Sequence, residues 1–245
     1  MKKLDWLMLV LAGAAAVGLR TWQMRTGFDA DGLPLSGNTA ALALPVVLAA
    51  AAAYFVLSAR RFPAQQDMAA PFADCFLFQD NTAVIAGVVG ALLLAASAAV
   101  AVAGYTLDTS ALFLAPVAVA AMCSILHVIF GCYRGTRVYA MALLVPVGCL
   151  ALFFIHTHLS CASDPNLADI YVRVLAVAAL LGSAWQLATF AYLEGTPRNY
   201  VPVGAMAFVL AMAAAAEQRS LASVLFFVGC ALIELGFLAA ADFRK

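Results

Sequence analysis

Long apolar runs, parted by short polar breaks, constrain this chain more than any other feature. They follow one another from Leu4 to Ala241. The one long stretch that is both polar and rich in turn formers is Arg20–Gly37, RTWQMRTGFDADGLPLSG. About 20 consecutive apolar residues is the length an α-helix needs to cross the hydrocarbon core of a bilayer. In lipid the backbone must satisfy its own hydrogen bonds, which helices and closed barrels achieve. The runs here are unbroken and lack period-two alternation, so a barrel is disfavoured.

Composition agrees. Of the 245 residues, 66% are hydrophobic and 11% charged, with a mean hydropathy of +1.00. A soluble domain carries about 25% charged residues. So little charge cannot solvate a globular surface, and a bilayer removes that need. The formal net charge is +0, which leaves nucleic acid without an electrostatic footing as a partner. The six cysteines, Cys75, Cys123, Cys132, Cys149, Cys161 and Cys230, show no CxxC and no zinc-ligand spacing. Most lie inside apolar runs, where cysteine behaves as a small hydrophobe.

The expected fold is all-α, a single polytopic transmembrane bundle over 1–245. Eight spans are placed near 4–24, 40–59, 82–105, 111–133, 138–157, 168–193, 200–216 and 221–241. Seven is the alternative count, because the last two spans are short and only Glu217–Ser220 parts them. The first run also has the look of a signal peptide, with Lys2 and Lys3 in front and Ala14, Ala15 and Ala16 near a cleavage site. Asp5 at its start, and Arg20 and Arg25 after it, favour a retained helix. Pro146 removes a donor in the middle of the fifth span and should kink it. The alanine runs Ala49–Ala53 and Ala213–Ala216 allow close helix approach.

Basic residues set the expected orientation. With the N-terminus inside, Lys2, Lys3, Arg60, Arg61, Arg134, Arg137, Arg198, Arg244 and Lys245 all fall at inner ends. Only Arg20, Arg25 and Arg219 fall at outer ends, so both termini are expected in the cytoplasm. The 20–39 loop then faces out. The 60–81 segment faces in. There Pro63 and Pro71 break helix, and Phe72, Phe76 and Phe78 stand beside Asp74, Gln79 and Asp80. It reads either as an interfacial segment or as a plain connecting loop.

An ionisable side chain inside a span is costly and marks a candidate site. Depth sorts the candidates into two groups. The outer one holds Arg20, Trp22, Gln23 and Arg25 after the first span, His156 and His158 at the end of the fifth, and Asp164, Asp169 and Arg173 around the start of the sixth. Asp169 and Arg173 are four apart and share a helix face. This group reads either as an interfacial collar of Trp and Arg anchors or as a vestibule for a small anionic or amphipathic ligand, with Arg20 or Arg173 as charge partner. The inner group is His127, Gln186 and Glu234, placed at similar depth and able to bond across helices. Glu234 reads either as a protonated structural carboxyl or as a proton or cation site.

No cofactor and no metal site is expected. The turn DADG at Asp29–Gly32 lacks the remaining oxygens of a calcium loop. His127 lies about 25–30 Å along the normal from His156 and His158, too far for two histidines to bridge a haem. His156, His158 and Asp164 match no zinc motif. HExxH, GxSxG, P-loop and dinucleotide signatures are missing from suitable contexts.

The loop RTWQMRTGFDADGLPLSG, the ARRFP and FQD pieces, and LLVPVGCLALFFIHTHLSCASDPNL together resemble a group of uncharacterised multi-pass membrane proteins of anaerobic Gram-positive bacteria. The resemblance implies a multi-helix bundle in a bacterial inner membrane and carries no assigned activity. The functional expectation is an integral membrane protein that binds or moves a small or lipid-like ligand. The alternatives are an enzyme embedded in the membrane and acting on lipid headgroups or isoprenoids, or an assembly subunit of a membrane complex. The expected partners are the bilayer and that ligand.

Overall fold

Helices form wherever the apolar runs lie, because a helix is the one local structure that satisfies its own backbone. The computed structural model describes residues 2–28, 35, 38–65, 72–78, 81–104, 109–131, 137–162, 167–217 and 220–243. Among them are α1 (Lys3–Thr26), α2 (Thr39–Ala59), the short α3 (Phe72–Cys75), α4 (Asn81–Ala103), α5 (Thr109–Gly131), α6 (Arg137–Ala162), α7 (Leu167–Ala191), α8 (Pro197–Glu217) and α9 (Leu221–Ala240). Six of the eight long helices have described stretches long and apolar enough to cross a membrane. In α5 and α6 the described apolar stretches, Phe113–Ile129 and Leu143–Leu159, are shorter.

Local chemistry sets the helix ends. The Asn38 side chain accepts hydrogen bonds from Ala40 N and Ala41 N and donates one to the Thr26 carbonyl, so it caps α2 and ties it to the end of α1. Pro197 opens α8, where its missing donor costs nothing. Leu193 takes a φ of 63° just past α7, the left-handed turn that ends a helix.

The outside of the bundle is apolar. Leu42, Val46, Ile85, Leu92, Val102 and Leu152 are all exposed. Water would oppose such a surface, and lipid accepts it. Inside, small residues let helices approach. Ala205, Ala207, Ala211, Ala213 and Ala214 of α8 are fully buried. Ala49–Ala53 differs: Ala51 is buried while Ala49, Ala50 and Ala53 are exposed.

Six helices close a ring, with contacts running α4–α5–α6–α7–α8–α9 and back to α4. The α1–α2 hairpin packs outside that ring, against α8. The α4–α9 seam is the tightest. A Cβ built on Gly90 would lie 2.8 Å from the Gly229 carbonyl oxygen, and one built on Gly229 would lie 3.0 Å from the Gly90 carbonyl oxygen. Ser97 Oγ donates to the Ala222 carbonyl across the same seam at 2.7 Å.

The segment after α2 folds back onto the bundle. Cys75–Leu77 meets Ala240–Asp242 in a short antiparallel bridge, with Leu77 N donating to Ala240 O at 2.8 Å and Asp242 N to Cys75 O at 2.9 Å. Phe76 packs edge-on against Phe190, Tyr200, Phe237 and Phe243 and is 1% exposed. Phe72 stacks on Phe76, and Phe78 packs on Phe237. These three rings therefore belong to the protein interior. The side chain of Asp74, and Gln79 and Asp80 altogether, lie outside the described residues.

Candidate functional site

A half-open cavity of about 60 Å³ lies among four helices of the ring. Its walls come from α5 (Ser124, Ile125), α6 (Pro146, Leu150), α7 (Leu180, Ala184) and α9 (Cys230, Glu234, Phe237), among other apolar residues. Pro146 thus sits on the cavity wall, and α6 continues through it. Glu234 is 5% exposed, and its Oε2 accepts a hydrogen bond from Ser183 Oγ at 2.7 Å. Cys230 lies one turn before Glu234 on the same wall. The result is a largely apolar cavity with one carboxyl and the Ser124 hydroxyl in its wall.

Two of the expected inner trio have partners outside it. Glu234 takes its partner from Ser183. Gln186, one turn further along α7, accepts a hydrogen bond from Thr196 Oγ1 at 3.0 Å. His127 is half-buried on α5 and is not among the residues that line the cavity. Ser183 is the residue that sequence reading missed. Its one signal is position, a hydroxyl one turn from Gln186 within an apolar run.

A second polar group lies where α1 and α8 finish and α7 begins. Arg20 is fully buried, and its Nη2 meets Glu217 Oε2 at 2.8 Å. Nη1 of the same guanidinium donates to Gln23 Oε1 at 2.8 Å. The guanidinium carbon stands 5.5 Å from the Tyr171 ring centroid, within cation–π range. Arg173 Nε lies 3.7 Å from Glu217 Oε1, and its side chain is 35% exposed. One carboxylate thus faces two guanidinium groups, on three helices.

Trp22 and Arg25 are exposed on α1. His156 stacks on Phe113 of α5 with ring centroids 4.2 Å apart, and His158 stacks on Phe154 of its own helix at 6.3 Å. Asp164, like the DADG turn, lies outside the described residues, and so does the side chain of Asp169. Gln23, an expected member, bonds Arg20, and Glu217 and Tyr171 join the group. Glu217 is visible in the sequence only as an acid between two apolar runs; its helix carries it inward.

The far end of α1 carries another buried charge. Asp5 is 1% exposed, and its Oδ1 accepts from Tyr54 Oη at 3.0 Å, Ser58 Oγ at 2.8 Å and Arg61 Nη2 at 2.8 Å. Arg61 also contacts the Ser58 hydroxyl. Backbone N–H of Lys2 donates to Asp5 Oδ2 at 2.8 Å. Asp5 therefore latches α1 to α2, as Arg20 latches α1 to α8. Among the described residues, no group of three or more His, Cys, Asp or Glu converges.

Comparison with known proteins finds no family model that matches the chain, no matching curated protein and no matching solved structure.

Proposed function

We infer that the chain is an eight-span protein of a bacterial cell membrane, with both termini cytoplasmic, and that it binds and carries a small ligand through its central cavity. The observation that carries this reading is Glu234, the one ionisable carboxyl in the wall of a largely apolar cavity. Isolated carboxyls at membrane depth commonly mark ion or substrate paths. Cavity size narrows the ligand. About 60 Å³ exceeds the 10–15 Å³ or so that one water needs, and falls below the roughly 150 Å³ of a chamber that holds benzene. The ligand, or the part of it that enters, has only a few non-hydrogen atoms. Glu234 serves as its hydrogen-bond partner and as the site of a coupled proton.

The test reconstitutes the purified protein into liposomes and follows two readings. An apolar carbodiimide is added, and the peptide containing Glu234 is weighed; the expected outcome is an N-acylurea at Glu234. Proton entry after an acid pulse is read with a trapped pH dye. Wild-type vesicles should acidify faster than empty ones, and Glu234→Gln vesicles should match the empty ones. Ser183 can donate to a glutamine oxygen as it does to the carboxyl, so this variant keeps the local hydrogen bond. Unmodified Glu234 together with equal proton entry in wild type and variant would reduce Glu234 to a structural carboxyl.

A further inference from the structure

The 60–80 connection between α2 and α4 is long for a link between two helices, and part of it does more than join them. Its 72–78 strap lies against the ends of α7 and α9 and the start of α8. Two backbone hydrogen bonds tie it to the end of α9, Leu77 N to Ala240 O and Asp242 N to Cys75 O. Phe76, in the middle of the strap, is fully buried. Its ring centroid stands 5.1 Å from that of Phe190 on α7, 5.5 Å from Tyr200 on α8, 5.8 Å from Phe237 on α9 and 5.6 Å from Phe243 just past α9, each edge-on. The strap also supplies Phe78, 5.4 Å from Phe237.

This aromatic cluster adjoins the Glu234 cavity. Phe237 belongs to both, since it also lines the cavity. It follows Glu234 by three residues, about 4.5 Å along the helix axis. Leu187, the cavity residue nearest the end of α7, precedes Phe190 by the same step. The cluster therefore lies one turn beyond the cavity, between the Glu234 carboxyl and the face at which α7 and α9 end. Phe190, Tyr200 and Phe237 are carried by spans, whereas Phe76 and Phe78 are carried by the strap. Ring edges and two hydrogen bonds hold the strap in place, and parting them unwinds no span. We propose that the 72–78 strap is a gate between the cavity and that membrane face, with Phe76 as its plug. When the strap lifts, Phe237 loses both rings that pack against it and is free to turn aside from the cavity wall. The proposal rests on the reading of the cavity as a passage, and adds which end opens and what holds it shut.

Cys230 reports on the gate without requiring that anything be carried, because its buried thiol lies in the cavity wall. The protein is placed in lipid nanodiscs and treated with 2-aminoethyl methanethiosulfonate, a small thiol reagent whose charge slows its entry into lipid. The peptide containing Cys230 is weighed over time. An open state populated at about 0.1–10% limits wild-type labelling to that fraction, so Phe76→Ala, which removes the plug, should label at least about tenfold faster. Phe76→Leu keeps much of the apolar volume and loses the ring edges. It should label at an intermediate rate, and so tests the gate even if Phe76→Ala folds poorly. Phe55→Ala removes an equally buried ring from α2, outside the six-helix ring, and should label as slowly as the wild type. Equal rates in the wild type and both Phe76 variants, or the same rise in Phe55→Ala, would overturn the proposal. Faster labelling in the Phe76 variants, with equal proton entry in wild-type and Glu234→Gln liposomes, would uphold the gate and count against the coupled proton, so the two readings fail separately.

Discussion

Arg20 shows how far a single residue can be read. An arginine within an apolar run costs about 2.5–3.5 kcal/mol on insertion scales, so the sequence alone marks it as a residue in need of a partner. One partner, Gln23, is three residues away, but the charged partner Glu217 is 197 positions away, and no local pattern points there. Asp169, which shares a helix face with Arg173 by spacing, is the partner that sequence suggests, and its side chain lies outside the described residues; Glu217, which sequence does not pair with either arginine, faces both. The histidines illustrate the converse. His156 and His158 attract notice as titratable groups, yet their rings stack on Phe113 and Phe154. Replacing Arg20 by Leu strands the buried Glu217 carboxylate, a loss that costs about 3–5 kcal/mol when no other partner exists. Arg173 stands 3.7 Å from the same carboxylate and compensates in part, which places the expected loss at the lower end. Thermal unfolding in detergent reads it as a fall in Tm. Adding Glu217→Gln to Arg20→Leu should restore most of the lost stability, and a double variant no better than the single one would refute the pairing.

At the scale of elements, the seam between α4 and α9 rests on glycine. Gly90 and Gly229 each place a carbonyl oxygen within about 3 Å of where the other's Cβ would stand. Neither backbone can yield without parting the helices. Gly90→Ala is therefore expected to destabilise the protein by about 1–3 kcal/mol, the usual cost of overpacking. Gly18→Ala meets nothing within 4 Å and should be neutral or stabilising by up to about 1 kcal/mol, since alanine favours the helix. Comparing the Tm of the two variants checks both statements. The glycines are plain in the sequence, but their roles are not. Gly18 and Gly90 both lie in apolar runs, and only packing distinguishes the one that faces a helix. The alanine runs make the same point: Ala213 and Ala214 are buried, while Ala49, Ala50 and Ala53 face outward.

At the scale of the molecule, the prediction concerns topology. Eight crossings with the N-terminus inside put the links after α2, α5 and α7 and the C-terminus on the cytoplasmic face. A fluorescent protein fused after Lys245 should fluoresce in bacterial cells. Alkaline phosphatase fused after Glu217 should be active, and fused after Leu193 inactive. Active phosphatase at both positions would reject the eight-span arrangement. The rings of Phe72, Phe76 and Phe78 would then close the cytoplasmic end of the ring, with Phe237 shared between that cluster and the cavity wall. Sequence reading left the 60–81 segment open between an interfacial strip and a plain loop. An aromatic residue beside acids looks amphipathic in either case, and what buries these rings is the end of α9, some 160 residues later.

By itself the sequence determined the solvent, the helical class and the approximate helix positions. Those follow from the number of consecutive apolar residues and from the need of the backbone to satisfy itself in lipid, both local properties. It also marked Arg20, Arg173 and Glu234 as residues to explain, because charge in an apolar run is costly wherever the run packs. Only the tertiary structure decided which of them meet. The six-helix ring, the hairpin of α1 and α2 outside it, the Asp5 and Arg20 latches and the chamber beside Glu234 all depend on the angle at which each helix presents its side chains to its neighbours. In spans that are apolar all round, little in the pattern specifies that angle.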